Sequence, residues 1–226
     1  MNSCVNIEKA GKAYMFQDEV FNLNSKCVKE LMIKDEKLKL LFNIVGSYKY
    51  VRRRNYFVSM ARIIVGQQLS INAANSIWAR INNITELTPD KMCSLSHSDL
   101  KAAGLSDAKA TYLKNLATLI CYKNFDLESL DGCSNDIVLQ NLMEIKGIGR
   151  WSAETFLIFS LGRLDVLPIE DVGIKRAIQW LHNMDNPPDK HVVNTLSRRW
   201  APFQGVVALY LWEAVNRDLI KVPLGS

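Results

Sequence analysis

The stretch that decides the fold is LMEIKGIGRWSAETFLIFSLGRLDVLPIEDVGIKRA, residues 142–177. It reads as a helix ending near Ile145, a tight hairpin from Lys146 to Gly149 and a second helix through Leu161. A polar turn at Gly162 and Arg163 follows, then an extended run to Pro168, and a new helix opens at about Asp171. In Gly147-Ile148-Gly149 the two glycines supply open backbone angles, and the aliphatic residue between them plugs a core. The helix behind the hairpin starts beside exposed amides, a natural seat for a phosphate oxygen. Two glycines around one residue also make an ordinary turn, so the hairpin needs its neighbours before it speaks for function.

Upstream, Phe57, Met60, Ala61, Ile64 and Val65 recur at helical spacing and run into the corner Gly66-Gln67-Gln68-Leu69-Ser70. Ala73, Ala74, Ile77, Trp78 and Ile81 define the helix after it. Before this pair stand Lys49, Arg52, Arg53 and Arg54, the densest cationic cluster, which reads as a solvated loop or as a phosphate contact. Earlier still, a helix from Ser25 carries Leu38, Leu41, Phe42 and Val45 and stops at Gly46. The opening residues show no clear period; Tyr14, Phe16, Val20 and Phe21 suit a short strand or an irregular lead-in.

Between the corner and the hairpin, Thr88-Pro89 opens a short helix, Ser96 or Ser98 caps another and Gly104 ends it. Leu113, Leu116, Ala117, Ile120 and Cys121 then form a core stripe, and residues 126–134 read as a loop. Downstream, Ile174, Ala177, Ile178 and Leu181 define one helix, Pro187-Pro188 breaks the chain, and Val193, Leu196 and Trp200 define another. Phe203, Val206, Val207, Tyr210, Leu211 and Ala214 form the last long one. No strand-period run of consequence appears, so the predicted class is all-α. His97, His182 and His191 sit in polar or capping contexts and read as surface residues.

With 226 residues and 48% hydrophobic content, the chain can bury a core of its own. No run of about eighteen apolar residues exists and the N-terminus lacks a signal-peptide apolar core, which points to a soluble intracellular protein without membrane partners. Cys4, Cys27, Cys93, Cys121 and Cys133 are odd in number, scattered, and without metal-ligand spacing, so reduced thiols are expected. A net charge of +5 is compatible with a polyanionic partner without requiring one.

The hairpin at 145–153, IKGIGRWSA, with Gly162, Pro168 and Asp171 behind it, resembles the helix-hairpin-helix Gly/Pro-Asp superfamily of DNA glycosylases, specifically its AlkA-type 3-methyladenine branch. The likeness extends from about Asn55 to about Trp212. It implies two helical lobes facing a cleft, a middle lobe of residues 52–160 and a second lobe from residues 1–51 and 161–226. It also implies a protein that works at DNA, in cytoplasm, nucleoid or nucleus, as a monomer on duplexes containing alkylated bases.

The resemblance implies site residues as well. Asp171 is the candidate catalytic carboxylate, since losing a base builds positive charge on the sugar and an ionised carboxylate stabilises it. Without the resemblance Asp171 would read as a helix N-cap; Glu170, Asp165 and Glu154 are weaker candidates. Trp151 stands where bifunctional relatives carry a lysine, which implies hydrolysis without lyase chemistry. Its indole also suits stacking on a cationic alkylated base, with Phe203 as the second pocket aromatic. Gln68 or Leu69, with Leu69 favoured, fills the gap left by an everted nucleotide. Gly147, Ile148 and Gly149 contact a phosphate, and backbone carbonyls of Met143, Ile145 and Ile148 hold a monovalent cation. No iron–sulfur cluster is expected, because no cysteine follows Cys133. The chain departs from common family residues at Thr155, Val172 and Gln204. The predicted function is therefore a monofunctional glycosylase for 3-methyladenine and 7-methylguanine. The alternatives are a non-catalytic damage-binding protein and a glycosylase for oxidised or mismatched bases.

Overall fold

The computed structural model describes residues 8–10, 13–15, 18–123, 125–222 and 224. Their contacts divide into two compact units. Of the described residues, one comprises those up to Lys9, those from Ala13 to Arg52 and those from Gly162 onward; the other comprises those from Arg53 to Leu161 with Ala10.

The unit around residues 53–161 is helical and is organised on α3, Tyr56–Gly66. Eight of its eleven residues are buried, including Phe57, Met60, Ala61 and Ile64, so α3 is apolar nearly all round, as a central helix must be. Asn55 caps it by accepting from the Val58 amide at 3.0 Å. The next helix, α4 (Ile71–Ile84), buries only Ile77 and Ile81 and is a surface element. Two short helices follow, α5 (Pro89–Ser94) with Pro89 in its first turn and α6 (His97–Ala102) with a Ser96/Asp99 capping box. The long α7, Asp107–Lys123, buries Ala110, Leu113, Leu116 and Ala117. A 3-10 turn at Glu128–Gly132 interrupts what the sequence suggested was plain loop. The unit ends with α8 (Asn135–Met143) and α9 (Arg150–Phe159), the latter packed on α3. A buried hydroxyl pair, Ser160 to Ser59 at 2.7 Å, satisfies two polar groups at that contact.

The other unit is built on α12, Gln204–Asn216, in which Gly205–Leu211 and Ala214 are all buried. Against it pack α2 (Glu36–Val45) and α10 (Val172–His182), with α1 (Lys26–Lys34) beside α2 and α11 (Lys190–Arg199) leading into α12. Tyr210 ties the core together: its hydroxyl donates to the Phe21 carbonyl at 2.9 Å and its ring meets Phe42 edge-on at 4.6 Å.

Several expectations change. The helix predicted from Ser25 to Gly46 is two helices, broken at Asp35. This buried carboxylate both caps α2 and accepts the Trp200 indole hydrogen at 3.0 Å, a tie the local sequence does not show. Of the two readings of the opening residues, Tyr14, Val20 and Phe21 take the short strand: Glu8–Ala10 pairs with Ala13–Met15 (β1, β2), and Glu19–Phe21 pairs antiparallel with Tyr48–Tyr50 (β3, β4), Val20 opposite Lys49, the strand at Tyr48–Tyr50 being unanticipated. Three residues per strand are too few to show a period of two. Phe16 lies outside the described residues. The cationic cluster is a solvated loop only in part: Lys49 is exposed in β4 and Arg54 is exposed in the irregular segment after it, but Arg52 is buried and the Arg53 guanidinium lies 4.3 Å over the Phe159 ring. His182 is half-buried rather than fully at the surface; it ends α10 with Nε2 buried and without a hydrogen-bond partner. Cys27, Cys93, Cys121 and Cys133 are free thiols, and Cys4 lies outside the described residues.

Candidate active site

The hairpin between α8 and α9 is closed by two short backbone bonds, Ile145 to the Leu142 carbonyl at 3.1 Å and Ile148 to the Ile145 carbonyl at 3.0 Å. Ile148, only 4% exposed, anchors it in the core. Gly147 has φ +96°, and a Cβ there would fall 2.1 Å from Cγ of Tyr112 on α7, so both backbone and packing demand glycine. Gly149 caps α9 and is exposed, and a Cβ on it would meet nothing within 4 Å. No internal contact therefore requires glycine there, whereas an outside group approaching the first amides of α9 gains room from it. Arg150 and the buried Glu154 pair at 2.9 Å across one turn.

Trp151, in the first turn of α9, is half-buried. Thr155, buried one turn on, donates its hydroxyl back to the Trp151 carbonyl at 2.7 Å, so its polar group is spent on the helix. No lysine lies on α9.

In the same unit, the corner between α3 and α4 is a tight turn in which the Leu69 amide donates to Gly66 at 3.2 Å. Gln67 has φ −51°, ψ 128° and Gln68 has φ +55°, the angles of a type II turn. The second of these positions favours glycine, so a glutamine there is held against its preference. Gln68 is exposed, as are Leu69 (39%) and Ile71 (50%), which leaves an amide and two aliphatic tips on one turn. Gln67 behaves differently. Its Nε2 donates to the Gly147 carbonyl at 2.9 Å and to the Ser152 hydroxyl at 3.0 Å. The sequence reading missed Gln67 and Tyr112. Gln67 had the signal of a polar residue inside a recognised corner, and Tyr112, in the middle of α7, had none.

Asp171, Phe203 and the chain joining Gly162 to α10 belong to the other unit. A turn closed by Asp171 donating to the Pro168 carbonyl at 3.0 Å sets the start of α10. Asp171 is its N-cap, with Oδ1 accepting the Ile174 amide at 2.7 Å. The carboxylate thus sits on the positive end of the helix dipole, where an anion is favoured. A Cβ on Gly173 would come within 3.0 Å of that oxygen and 3.8 Å of the Trp212 ring, so glycine there leaves space between the carboxylate and an indole not singled out from sequence. Phe203 is 7% exposed at the start of α12. Gly205 donates to the Leu164 carbonyl at 2.7 Å, and a Cβ on Gly205 would fall 2.7 Å from the Leu164 Cα; this close approach fastens the Phe203 segment to the irregular chain leading to Asp171. Val172 is 71% exposed, and Gln204 Oε1 is buried without a hydrogen-bond partner. Glu170 pairs with Lys190 at 2.9 Å. Among the described residues no group of three or more His, Cys, Asp or Glu side chains can hold a metal.

A helix-hairpin-helix, a glycine- and proline-bounded extended segment and an aspartate capping the next helix, on a mostly helical scaffold, define a class. The chain belongs to the HhH-GPD superfamily of base excision DNA repair proteins, whose family profile matches residues 61–202. It is 33% identical over 209 residues to DNA-3-methyladenine glycosylase 1 of Schizosaccharomyces pombe, covering 87% of this chain and 90% of that protein. Its fold is similar to the structure of an S. pombe 3-methyladenine DNA glycosylase in complex with abasic DNA, with a TM-score of 0.78 and 33% identity over 84% of this chain and 96% of that one. It is likewise similar to a DNA-3-methyladenine glycosidase from Bacillus halodurans, with a TM-score of 0.74 and 33% identity over 91% and 95% of the two chains.

Proposed function

We propose that the protein is a monofunctional DNA glycosylase that releases N-alkylated purines, 3-methyladenine and 7-methylguanine, from duplex DNA. The observation that carries this reading is the Asp171 carboxylate on the N-terminus of α10, in a chain with relatives named for 3-methyladenine over nearly its whole length. The C1′–N bond breaks with its electron pair leaving on the base. The alkylated base is already cationic, so departure neutralises it, and the positive charge passes to the sugar. Asp171 stabilises that charge, water adds its oxygen to C1′ and loses a proton, and an abasic site remains.

Trp151 stacks on the cationic base, a gain of about 0.5–2 kcal/mol. The absence of a lysine on α9 supports hydrolysis over Schiff-base chemistry. Gln68 and Leu69 fill the space the nucleotide leaves, and the hairpin amides around Gly147, Ile148 and Gly149 take a phosphate. The carbonyls of Met143, Ile145 and Ile148 would hold a monovalent cation. Met143 and Ile145 stand at and just past the C-terminal end of α8, and neutral oxygens there suit a hard cation because that end of a helix is negative. When bound, the ion would add positive charge for the phosphate. The protein acts as a monomer.

Incubation with methylated duplex DNA tests the reading. Free 3-methyladenine and 7-methylguanine should appear, and borohydride should trap no covalent adduct. Stable binding with no released base would favour a damage-binding protein instead, and a trapped adduct would mean lyase chemistry.

A further inference from the structure

We propose that Gln67 and Lys109 are positioning residues that lock the wedge corner to the phosphate-binding hairpin, so that the two engage DNA as one rigid part. The proposal rests on the glycosylase reading above for the roles of those two loops, and on the following geometry for their coupling.

Gln67 is the residue at which α3 ends. Its side-chain amide has two hydrogens and both acceptors lie across the chain, the Gly147 carbonyl at 2.9 Å and the Ser152 hydroxyl at 3.0 Å. One acceptor is in the hairpin and the other in the first turn of α9. Its backbone is held from another direction: Nζ of Lys109 on α7 donates to the Val65 carbonyl at 2.9 Å and to the Gln67 carbonyl at 2.5 Å. These are last-turn carbonyls of α3, which a helix leaves without internal partners, and a cation there also complements the helix dipole. Lys109 keeps this place although partial burial lowers its pKa. One turn further along α7, Tyr112 packs against Gly147. A single helix therefore braces both loops, and Gln67 joins them directly.

The next residue, Gln68, holds φ +55°. A left-handed glutamine is strained, so the turn keeps its shape only while its flanks are fixed. Gln67 and Lys109 supply that fixation, and with it the aim of Gln68 and Leu69 relative to the hairpin.

The test uses Gln67→Glu, Lys109→Met and Lys109→Arg in the full chain. Gln67→Glu keeps the shape but puts a carboxylate oxygen where Nε2 was, so the Gly147 carbonyl loses its donor and faces an anion, while Lys109→Arg retains donors for both carbonyls. Single-turnover base release is measured with the lesion paired normally and with the same lesion opposite an abasic gap, where eversion needs little help. Gln67→Glu and Lys109→Met should lose about 10- to 100-fold on the paired lesion, a misplacement-sized loss. Both should run near the wild-type rate opposite the gap, and Lys109→Arg should restore most of the paired rate. Equal losses on both substrates, or none on either, overturn the coupling.

A second readout separates the coupling from the enzymatic reading. 2-Aminopurine beside a tetrahydrofuran abasic analogue brightens when a wedge unstacks it. Bound wild-type protein should raise the signal and bound Gln67→Glu should not. If wild type releases no base yet this difference persists, the glycosylase reading fails and the coupling stands. If the two proteins give equal signals, the coupling fails whatever the base-release result.

Discussion

Tyr112 packs so close to Gly147 that a Cβ on the glycine would fall 2.1 Å from the ring. The hairpin is thereby fixed by two independent demands, an aromatic ring on one side and φ +96° at Gly147 on the other. Gly147→Ala should destabilise the protein by about 2–4 kcal/mol, from the clash together with a left-handed alanine. Urea unfolding of Gly147→Ala, Tyr112→Ala and the double variant separates the two. The double variant should recover the clash contribution and keep the backbone one.

The corner between α3 and α4, proposed above as the wedge, should show stability and activity moving in opposite directions. Gln68→Gly removes the cost of a left-handed side chain and should gain about 1 kcal/mol in chemical denaturation. It also removes an amide tip, and base release from paired lesions should fall. Leu69→Ala should lower release without the stability gain, because Leu69 is 39% exposed and contributes little to the core. A Gln68→Gly variant that is less stable than wild type would contradict the reading of the turn.

If Trp151 works by stacking on a cationic base, its loss should discriminate by charge. Trp151→Leu should slow release of 7-methylguanine by about 2- to 30-fold, the rate equivalent of 0.5–2 kcal/mol. Release of a neutral deaminated base, hypoxanthine, from matched duplexes should change less wherever wild type accepts it. Equal losses on charged and neutral bases would assign Trp151 to shape alone.

His182 gives a pH signature that the DNA chemistry does not. Burial holds its pKa below the ordinary 6.5; Asp35 opposes this, and Lys37 and Arg199 add to it. The folded protein thus binds the proton less tightly than the unfolded chain. The stability contribution is complete above about pH 6.5 and is lost as pH falls through that value towards the folded pKa. Melting temperature should drop across that window in wild type, and His182→Leu should flatten this part of the profile.

The elements carried by several repeats of an apolar period were legible in the sequence, among them α3, α7, α10 and α12, and so was the hairpin, because glycines at fixed places announce it. What was not legible depended on contacts between distant residues. Asp35 breaks a helix to meet Trp200, 165 positions away. Three-residue strands leave no pattern, and His182 reads as polar surface until the helix end that buries it is known. At the site, Asp171 as an N-cap was readable from the residues around it. The inward turn of Gln67 was not, because two adjacent glutamines look alike until a type II turn sends one in and the other out.

The proposed chemistry requires the charge of Asp171, and one substitution isolates it. Asn caps a helix as well as Asp does, so Asp171→Asn should keep the Ile174 amide satisfied, leave the melting curve near wild type and preserve affinity for abasic-analogue DNA. Single-turnover release of 7-methylguanine by that variant should fall by about 10²–10³-fold, the loss of one preorganised electrostatic contact. Release at the wild-type rate by a folded, DNA-binding Asp171→Asn protein would contradict the central claim.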